Sequence, residues 1–352
     1  MAVLYIVSTE AYSGKTGICM SIGLEAKQRG LKIGYMKPVG TLPGKVGGET
    51  VDLDAYYVLK RLDTGDDIHS VSPISLTQKF MHDHLMGKEC HCLEVIKTAF
   101  DKISKGKDLV VAENGADVNE GRFINAAAFQ VAKALGAKVL LVARFRSELV
   151  IDDILAAYDL IGDGFLGVIF NQVMDSRRPD LDMVIPYLEE RDIKTFGILP
   201  MDKTLMSVTV GEIAAHLNGT VLTATDKMDE LVENFMVGAM GQERALRFFQ
   251  RTPNKAVITG GDRADVQLAA LETQTKALIL TGNLQPSPIV MARAEDLGVP
   301  MILVDMDTLV AVEKTDELVG KVRIHQAQKA QRMHDLVKSN VDVNSLFKAL
   351  EL

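Results

Sequence analysis

The residues best suited to chemistry are Gly14, Lys15 and Thr16, which follow a short apolar run at the start of the chain. A loop of this kind between a strand and a helix wraps main-chain N–H groups around a phosphate, and the helix N-terminus adds partial positive charge. The lysine can reach the outer phosphates, and the threonine hydroxyl suits Mg²⁺. We therefore predict a phosphate-binding loop (P-loop), although a plain strand–turn–helix corner is the alternative. One departure is that Thr9 stands where such loops usually begin with glycine. The residues predicted to contact the nucleotide here are Thr9, Glu10, Ser13, Gly14, Lys15, Thr16 and Gly17.

Polar residues follow later apolar runs and are candidates to complete this site. Lys37 comes after the second run, and Glu113 closes the third, where a buried carboxylate costs free energy unless it is paired or bound to metal. Asp54 lies near a predicted helix start, for which Asp52 is a plausible N-cap. Mg²⁺ takes one or two carboxylates together with phosphate oxygens. We predict Lys37 and Lys15 as catalytic residues and Thr16, Asp54 and Glu113 as Mg²⁺ ligands, with a surface role as the alternative for Lys37.

Two further polar segments stand out. Asn171 ends an apolar run, and its amide carries both a donor and an acceptor that can read the edge of a purine. Residues 82–92 contain His82, His84, Cys90, His91 and Cys92, but the spacings are not those of the paired cysteines of a zinc site. We therefore interpret residues 82–92 as a polar surface segment whose thiols are incidental. The glycine-rich residues 44–48 are predicted to form a mobile loop.

Short apolar runs alternate with longer amphipathic stretches along the chain, which is typical of βαβ units with a parallel sheet. The predicted strands of the first half cover residues 2–7, 32–36, 109–112, 138–143, 167–170 and 195–199. The predicted helices between them include residues 17–29, 126–135 and 149–160. Ligands of such sheets bind beyond the carboxyl ends of the strands, and this rule selects the polar residues that follow the predicted strands as candidates. The predicted fold is a doubly wound α/β P-loop domain followed by a smaller α/β domain.

Composition limits the class of protein. A chain of 352 residues is long enough for two domains, and 47% hydrophobic with 24% charged residues is an ordinary globular balance. The net charge of −8 argues against nucleic-acid or anionic-membrane partners. Three cysteines are too few for a disulfide framework, so we expect a reducing, cytoplasmic location. No apolar run is long enough for a membrane span, and no signal peptide is recognisable.

Several short motifs in order, TEAYSGKT, YMKPVG, DLD, VVAENG, GVIFNQV and GILP, resemble dethiobiotin synthetase and its relatives, which include the ATP-dependent half of cobyrinic acid a,c-diamide synthase. The resemblance covers residues 1–216 and implies a domain that binds ATP with Mg²⁺. It implies that Gly14, Lys15 and Thr16 hold phosphates and that Lys37 contacts phosphate and substrate. It further implies that Asp54 and Glu113 hold Mg²⁺ and that Asn171 recognises adenine.

From about residue 218 the pattern of strands and helices restarts. We predict strands at 220–223, 255–258, 277–280 and 301–304, and helices at 231–240 and 243–249. The turn Gly260–Gly261–Asp262–Arg263 predicts an anion-binding corner, with Asp262 capping the next helix and Arg263 suited to a carboxylate or phosphate. Tight packing without a ligand is the alternative. This region, 217–323, resembles the DRTGG domain, and a helical tail, 324–352, is predicted to pack on its own protein or on a sister subunit.

A dethiobiotin synthetase-like domain followed by a DRTGG domain resembles the N-terminal regulatory region of long bacterial phosphotransacetylases. Two functions follow from the two resemblances. In the first, the chain is a nucleotide-responsive sensor that binds Mg-ATP; in the second, it is an ATP-dependent ligase that activates a small carboxylate for reaction with an amine. We favour the sensor because its architecture covers the whole chain. Both resemblances imply a homo-oligomer.

Overall fold

A computed structural model describes residues Met1–Leu352. The strands are β1 (Ala2–Ser8), β2 (Ile33–Met36), β3 (Val39–Gly40), β4 (Pro43–Val46), β5 (Glu49–Asp52), β6 (Ile74–Ser75), β7 (Leu109–Glu113), β8 (Lys138–Arg144), β9 (Phe165–Val173), β10 (Lys194–Pro200), β11 (Val208–Thr209), β12 (Thr220–Val221), β13 (Leu231–Val232), β14 (Asn234–Val237), β15 (Lys255–Gly260), β16 (Thr275–Thr281) and β17 (Met301–Leu303). The α-helices are α1 (Lys15–Gln28), α2 (Leu53–Leu62), α3 (Ile68–Val71), α4 (Gln78–Leu85), α5 (Cys92–Ile103), α6 (Ala128–Leu135), α7 (Val150–Ile161), α8 (Leu181–Glu189), α9 (Lys203–Met206), α10 (Val210–His216), α11 (Gln242–Arg251), α12 (Ala264–Leu271), α13 (Pro288–Leu297), α14 (Thr308–Leu318), α15 (Ala327–Asn340) and α16 (Val343–Ala349).

The chain divides into two compact units. The first unit comprises Met1–Met201 together with Ala327–Leu352, and the second unit comprises Asp202–Gln326. The C-terminal helices α15 and α16 therefore belong to the first unit, although they follow the second along the chain. The division into domains at 1–216, 217–323 and 324–352 stays a prediction.

The first unit is built on a six-stranded sheet in the order β10-β9-β8-β1-β7-β2, and the neighbouring strands pair in parallel. Strands β1, β7 and β8 are buried along nearly their whole length, which explains their continuous apolar sequences. The chain runs from β1 to β2 and β7 on one side and then to β8 on the other. The strand order thus reverses at β1, and a ligand crevice is expected beyond the carboxyl end of that strand.

The second unit is built on a five-stranded sheet in the order β12-β17-β16-β15-β14. All pairs are parallel except β12 with β17. One face of the sheet, which includes Val257, packs on α11, α12 and α13. The other face, which includes Ile258, packs on α10 and α14. The alternation of these neighbouring residues between two apolar layers is the period of a strand covered on both faces.

Two sequence expectations about secondary structure are wrong. Residues 231–240 do not form a helix, because Asn234–Val237 is an edge strand paired in parallel with β15. The glycine-rich residues 44–48 lie in a hairpin of β4 with β5, where Gly47 and Gly48 both have positive φ. Glycine adopts that conformation readily, which makes the tight turn possible. No helix of the structure combines the length and the apolar composition that crossing a bilayer requires.

Candidate functional site

The loop between β1 and α1 is the centre of the candidate site. Gly14 precedes the helix in the left-handed region, with φ 88°, and no side chain caps the helix N-terminus. The main-chain N–H of Ile18 donates to the carbonyl of Gly14 at 3.1 Å, the bond that starts the helical pattern. The N–H groups before Ile18 therefore have no partner within the helix. A helix that begins in this way presents donors and partial positive charge to an anion.

Lys15 is almost fully buried beside this loop. Its Nζ donates to Ser8 Oγ at 2.8 Å and to the carbonyl oxygen of Ala116 at 2.7 Å. Burial lowers the pKa of Lys15 to about 8, against the partly offsetting charge of Glu113. The ammonium is thus held by two neutral oxygens and has no direct carboxylate partner among these bonds. The roles of Ser8 and Ala116 escaped the sequence analysis, because a hydroxyl and a main-chain carbonyl carry no distinctive signal there.

Glu113 lies at the carboxyl end of β7 and is fully buried. Its Oε1 accepts a hydrogen bond from Tyr35 at 3.0 Å and lies 3.4 Å from the hydroxyl of Thr16. The same oxygen is 3.7 Å from Nζ of Lys37. Its other oxygen, Oε2, has no hydrogen-bond partner. Burial raises the pKa of Glu113, and the charge of Lys37 acts in the opposite direction.

Lys37 lies among three carboxylates. In addition to Glu113, its Nζ is 3.0 Å from Oδ1 of Asp52 and 3.1 Å from Oδ2 of Asp54. Burial alone would lower the pKa of Lys37, but the three negative charges raise it above its usual value. Lys37 is therefore a buried, charged residue, and its predicted alternative, a surface lysine, is wrong.

Asp52 has two tasks in this cluster. Its Oδ1 accepts the main-chain N–H of Ala55 at 2.8 Å and so caps α2, as expected from the sequence. Its Oδ2 accepts the N–H of Leu42 at 2.8 Å, across the β4–β5 hairpin. Because these bonds fix the carboxylate, Asp52 holds Lys37 from a rigid position. The sequence identified the cap but not the ion pair with Lys37.

The structure thus brings together Thr16, Lys37, Asp54 and Glu113 at one end of the sheet, and it leaves Glu10 apart from them. The carboxylate of Glu10 pairs with Arg146 at 2.9 Å on the surface. No group of three or more His, Cys, Asp or Glu side chains has the arrangement of a preformed metal site. Thr16 and the free Oε2 of Glu113 offer oxygen ligands that suit Mg²⁺, provided that phosphate oxygens supply the rest. The residues therefore fit the metal that the sequence predicts, in the presence of a nucleotide.

Asn171 lies at the end of β9 beside the P-loop and is buried. Its Nδ2 donates to the carbonyl of Ser13 at 2.7 Å, and its Oδ1 accepts the N–H of Gln172 at 2.8 Å. The side chain is therefore close to the predicted nucleotide, but both of its polar atoms bond to the protein. Recognition of adenine by Asn171 stays a prediction.

The segment 82–92 contains no metal site of the kind described above. Cys90 and Cys92 lie side by side at the turn into α5, with their Cα atoms 5.1 Å apart, a separation at which a disulfide can form. The interpretation of these thiols as incidental stays a prediction. Cys19 in α1 is a buried free thiol.

The second unit carries the other predicted anion corner, at the end of β15. The helix α12 begins after Arg263, and no side chain caps it, so the predicted cap by Asp262 is wrong. The guanidinium of Arg263 makes two bonds of 3.1 Å to Asp265 and a third, also 3.1 Å, to the carbonyl of Met240. The carbonyls of Gly260 and Gly261 accept hydrogen bonds from Nε2 of Gln267 at 2.8 and 3.0 Å. The main-chain N–H of Gly261 donates to the carbonyl of Thr281 at 3.3 Å. Anion binding at residues 260–263 stays a prediction, and this arrangement does not by itself favour it.

Two protein families match consecutive segments of this chain. The AAA domain family matches residues 2–209, and the DRTGG domain family matches residues 212–318. A phosphate acetyltransferase of Pseudomonas aeruginosa is 24% identical over 97% of this chain and 51% of its own length. The chain spans about half the length of the curated phosphate acetyltransferases that it matches.

The first domain has relatives of its own. The ATP-dependent dethiobiotin synthetase BioD of Methanococcus vannielii is 26% identical over 55% of this chain and 89% of its own length. Among solved structures, the MinC:MinD cell division protein complex of Aquifex aeolicus matches 58% of this chain and 84% of its own, with 17% identity and a TM-score of 0.37. The chain therefore belongs to the AAA domain family through a dethiobiotin synthetase-like P-loop domain, which a DRTGG domain follows.

Proposed function

We propose that this protein binds ATP with Mg²⁺ at the P-loop and that the bound nucleotide changes the state of the DRTGG domain, so that the chain acts as a nucleotide-responsive regulatory protein. The relation of the first domain to an ATP-dependent synthetase supports the choice of nucleotide. The buried ammonium of Lys15 beside a helix N-terminus without a side-chain cap supports binding of a triphosphate.

Mg²⁺ would be held by Thr16 and Glu113, with the partly exposed Asp54 close by, beside Lys37. When bound, the metal would neutralise charge on the phosphates. Ser13 Oγ and Glu113 Oε2 are buried polar atoms without partners, and such atoms in a native structure call for an explanation. A polar ligand at the loop would satisfy both, which is why the residues present fit a nucleotide and its metal.

One observation carries the regulatory part of the proposal: the helix that follows the DRTGG domain packs on the P-loop helix. Cε of Met333 in α15 lies 3.6 Å from the point that a Cβ would occupy if Gly14 carried a side chain. Nε2 of the next residue, His334, is 3.5 Å from Oε1 of Glu25 and 3.3 Å from Nε2 of Gln28, both in α1. A shift of α1 on nucleotide binding would therefore be felt by α15, which the chain joins directly to the end of the second unit.

Nucleotide binding is tested by thermal unfolding of the full chain with and without Mg-ATP. A ligand that binds only the native state raises its stability, by about 2.7 kcal/mol at a hundredfold excess over Kd. We expect a clear rise in Tm for the natural chain and none for Lys15→Ala. Lys107→Ala is the matched control, because Lys107 lies just before the amino end of β7, away from the P-loop, and pairs with Asp66. An equal rise in Lys15→Ala would exclude the P-loop as the site.

The regulatory response is tested by hydrogen exchange of peptides from residues 212–318. Mg-ATP is expected to change their exchange in the natural chain but not in Lys15→Ala. If ATP binds and exchange in 212–318 stays the same, the protein binds nucleotide without passing the signal to the DRTGG domain. That result would contradict the regulatory role while leaving nucleotide binding intact.

An ATP-dependent carboxylate–amine ligase is the second candidate. It is favoured by the relation to an ATP-dependent synthetase. The two functions differ in turnover. ATP hydrolysis that requires both a small carboxylate and an amine would support the ligase, whereas slow hydrolysis without them would support the regulatory protein. Sedimentation of the same preparations would test the expected homo-oligomer.

A further inference from the structure

Two consecutive amide side chains at the end of β9 hold two consecutive carbonyls of the P-loop. Nδ2 of Asn171 donates to the carbonyl of Ser13 at 2.7 Å, and Nε2 of Gln172 donates to the carbonyl of Tyr12 at 3.0 Å. Neighbouring side chains of a regular strand point to opposite faces of the sheet, so they cannot normally reach one loop together. Here Gln172 has φ 55°, in the left-handed region that non-glycine residues seldom adopt. This local turn of the strand is what directs both amides to the loop.

The loop is shaped to receive the first of these amides. A Cβ on Gly14 would lie 2.3 Å from Nδ2 of Asn171, which is too close for any side chain at that position. The φ of 88° at Gly14 also disfavours other residues. Glycine is therefore needed at position 14 so that the amide of Asn171 can approach the main chain. This is a requirement of the protein's own packing and applies before any ligand binds.

The direction of the peptide groups follows from these bonds. In a trans peptide the carbonyl of one residue and the N–H of the next point in opposite directions within one plane. Because the carbonyls of Tyr12 and Ser13 point to β9, the N–H groups of Ser13 and Gly14 point away from it. The amides of β9 thus fix the orientation of N–H groups that a phosphate would use.

We propose that Asn171 and Gln172 are positioning residues that orient the P-loop for the triphosphate. The proposal rests on triphosphate binding at this loop. Nδ2 and Oδ1 of Asn171 each make a hydrogen bond within the protein, and only 3% of the residue is exposed. A side chain fixed in this way acts on the phosphate-binding main chain, which is common to all nucleoside triphosphates.

The test compares three probes, ATP, GTP and inorganic tripolyphosphate, each with Mg²⁺ and measured by equilibrium titration of the full chain. Asn171→Ala is expected to lower the affinity for each probe that the natural chain binds by the same factor. That factor is about tenfold, as for the loss of one favourable hydrogen bond. A loss confined to ATP would show that Asn171 reads adenine and would overturn the proposal. If the natural chain binds none of the three, the proposed function itself fails, which is a different result.

A matched control is Asn234→Ala, because Asn234 also donates through its amide to a carbonyl, that of Pro253 at 2.9 Å, but in the second unit. Its removal should leave all three affinities unchanged. Gln172→Ala should weaken the same probes uniformly, and it serves as a second variant should Asn171→Ala fail to fold. A base-selective loss in Gln172→Ala would count against the proposal.

Hydrogen exchange of the ligand-free protein distinguishes positioning from a general structural role. We expect Asn171→Ala to speed exchange in a peptide that covers residues 9–17 and to leave a peptide over β8 unchanged. Faster exchange throughout β8 and β9 would show that the substitution loosens the whole sheet. That result would contradict a specific role of Asn171 in positioning the P-loop.

Discussion

The hydroxyl of Tyr35 donates a hydrogen bond of 3.0 Å to Oε1 of Glu113, and both side chains are fully buried. The two residues belong to β2 and β7, which are adjacent and parallel in the first sheet. The bond holds one carboxylate oxygen in place, and the other oxygen is left without a partner. A buried carboxylate with a fixed and a free oxygen is suited to bind a cation that arrives with a ligand.

The first prediction concerns this bond. Tyr35→Phe should lower the free energy of unfolding by about 1.5–3 kcal/mol, because a hydrogen bond to a charged, buried acceptor is lost. Urea denaturation at neutral pH measures the change. Tyr158→Phe is the control, since the half-buried ring of Tyr158 packs edge-on against Phe165. Equal losses in the two variants would mean that the bond to Glu113 contributes nothing particular.

The second prediction concerns Lys37. Lys37→Met should destabilise the protein by about 3–5 kcal/mol at neutral pH, because it leaves buried negative charges without their cation. Lys107→Met, which removes a less buried lysine paired with Asp66, should cost clearly less. Urea denaturation of both variants provides the comparison, and a similar cost for the two would contradict the role of Lys37.

The same variant should show a distinct pH dependence. Burial already raises the pKa of Glu113, and the loss of Lys37 should raise it further. The folded state then holds a proton that the unfolded chain releases, so stability increases as the pH falls. The deficit of Lys37→Met relative to the natural chain should therefore shrink between about pH 8 and pH 5. A deficit that stays constant would place the effect in packing and not in charge.

The third prediction follows from Lys15, whose pKa burial lowers from 10.5 to about 8. Above about pH 8 the free protein loses the ammonium charge, so affinity for a triphosphate should fall, by at most tenfold per pH unit. Titration calorimetry with Mg-ATP between about pH 7 and pH 9.5 measures the change. Lys15→Ala should bind weakly and with little pH dependence in this range.

Stability without ligand should respond to Lys15 with the opposite sign. The unfolded chain keeps the lysine protonated up to its usual pKa of 10.5, whereas the folded protein releases the proton near 8. The unfolded state therefore binds more protons between these values, and the contribution of Lys15 to the free energy of unfolding rises with pH. A comparison of the natural chain with Lys15→Ala isolates this contribution.

The fourth prediction concerns the contact of α15 with the P-loop helix. Met333→Ala should cost about 2–5 kcal/mol of unfolding free energy, because the side chain is 4% exposed and its removal leaves a cavity. Lys338→Ala, at an exposed position of the same helix, should change stability by less than about 0.5 kcal/mol. Met333→Ala should also weaken the response of residues 212–318 to Mg-ATP in hydrogen exchange. An undiminished response would show that α15 does not couple the P-loop helix to residues 212–318.

Much of the fold was predictable because its strands are covered on both faces and therefore appear as continuous apolar runs. The sheet strands predicted in residues 2–199 and the helices near residues 17–29 and 149–160 are found within a few residues of their predicted bounds. Residues 231–240 misled the prediction because their apolar positions fit a helix, while pairing with β15 draws Asn234–Val237 into an edge strand. Hydrogen bonds to a distant strand outweigh such a local preference.

The sequence by itself determined that residues 9–17 form a P-loop between a strand and a helix, since apolar runs, Gly14 and Lys15 are all local signals. Only the tertiary structure decided what holds those residues. The ammonium of Lys15 bonds to the carbonyl of Ala116, 101 residues further along, and Asn171 bonds to the carbonyl of Ser13, 158 residues away. Every residue has a main-chain carbonyl, so the sequence cannot indicate which one a distant side chain will reach. That choice depends on which strands lie side by side, and the packing of the whole sheet determines it.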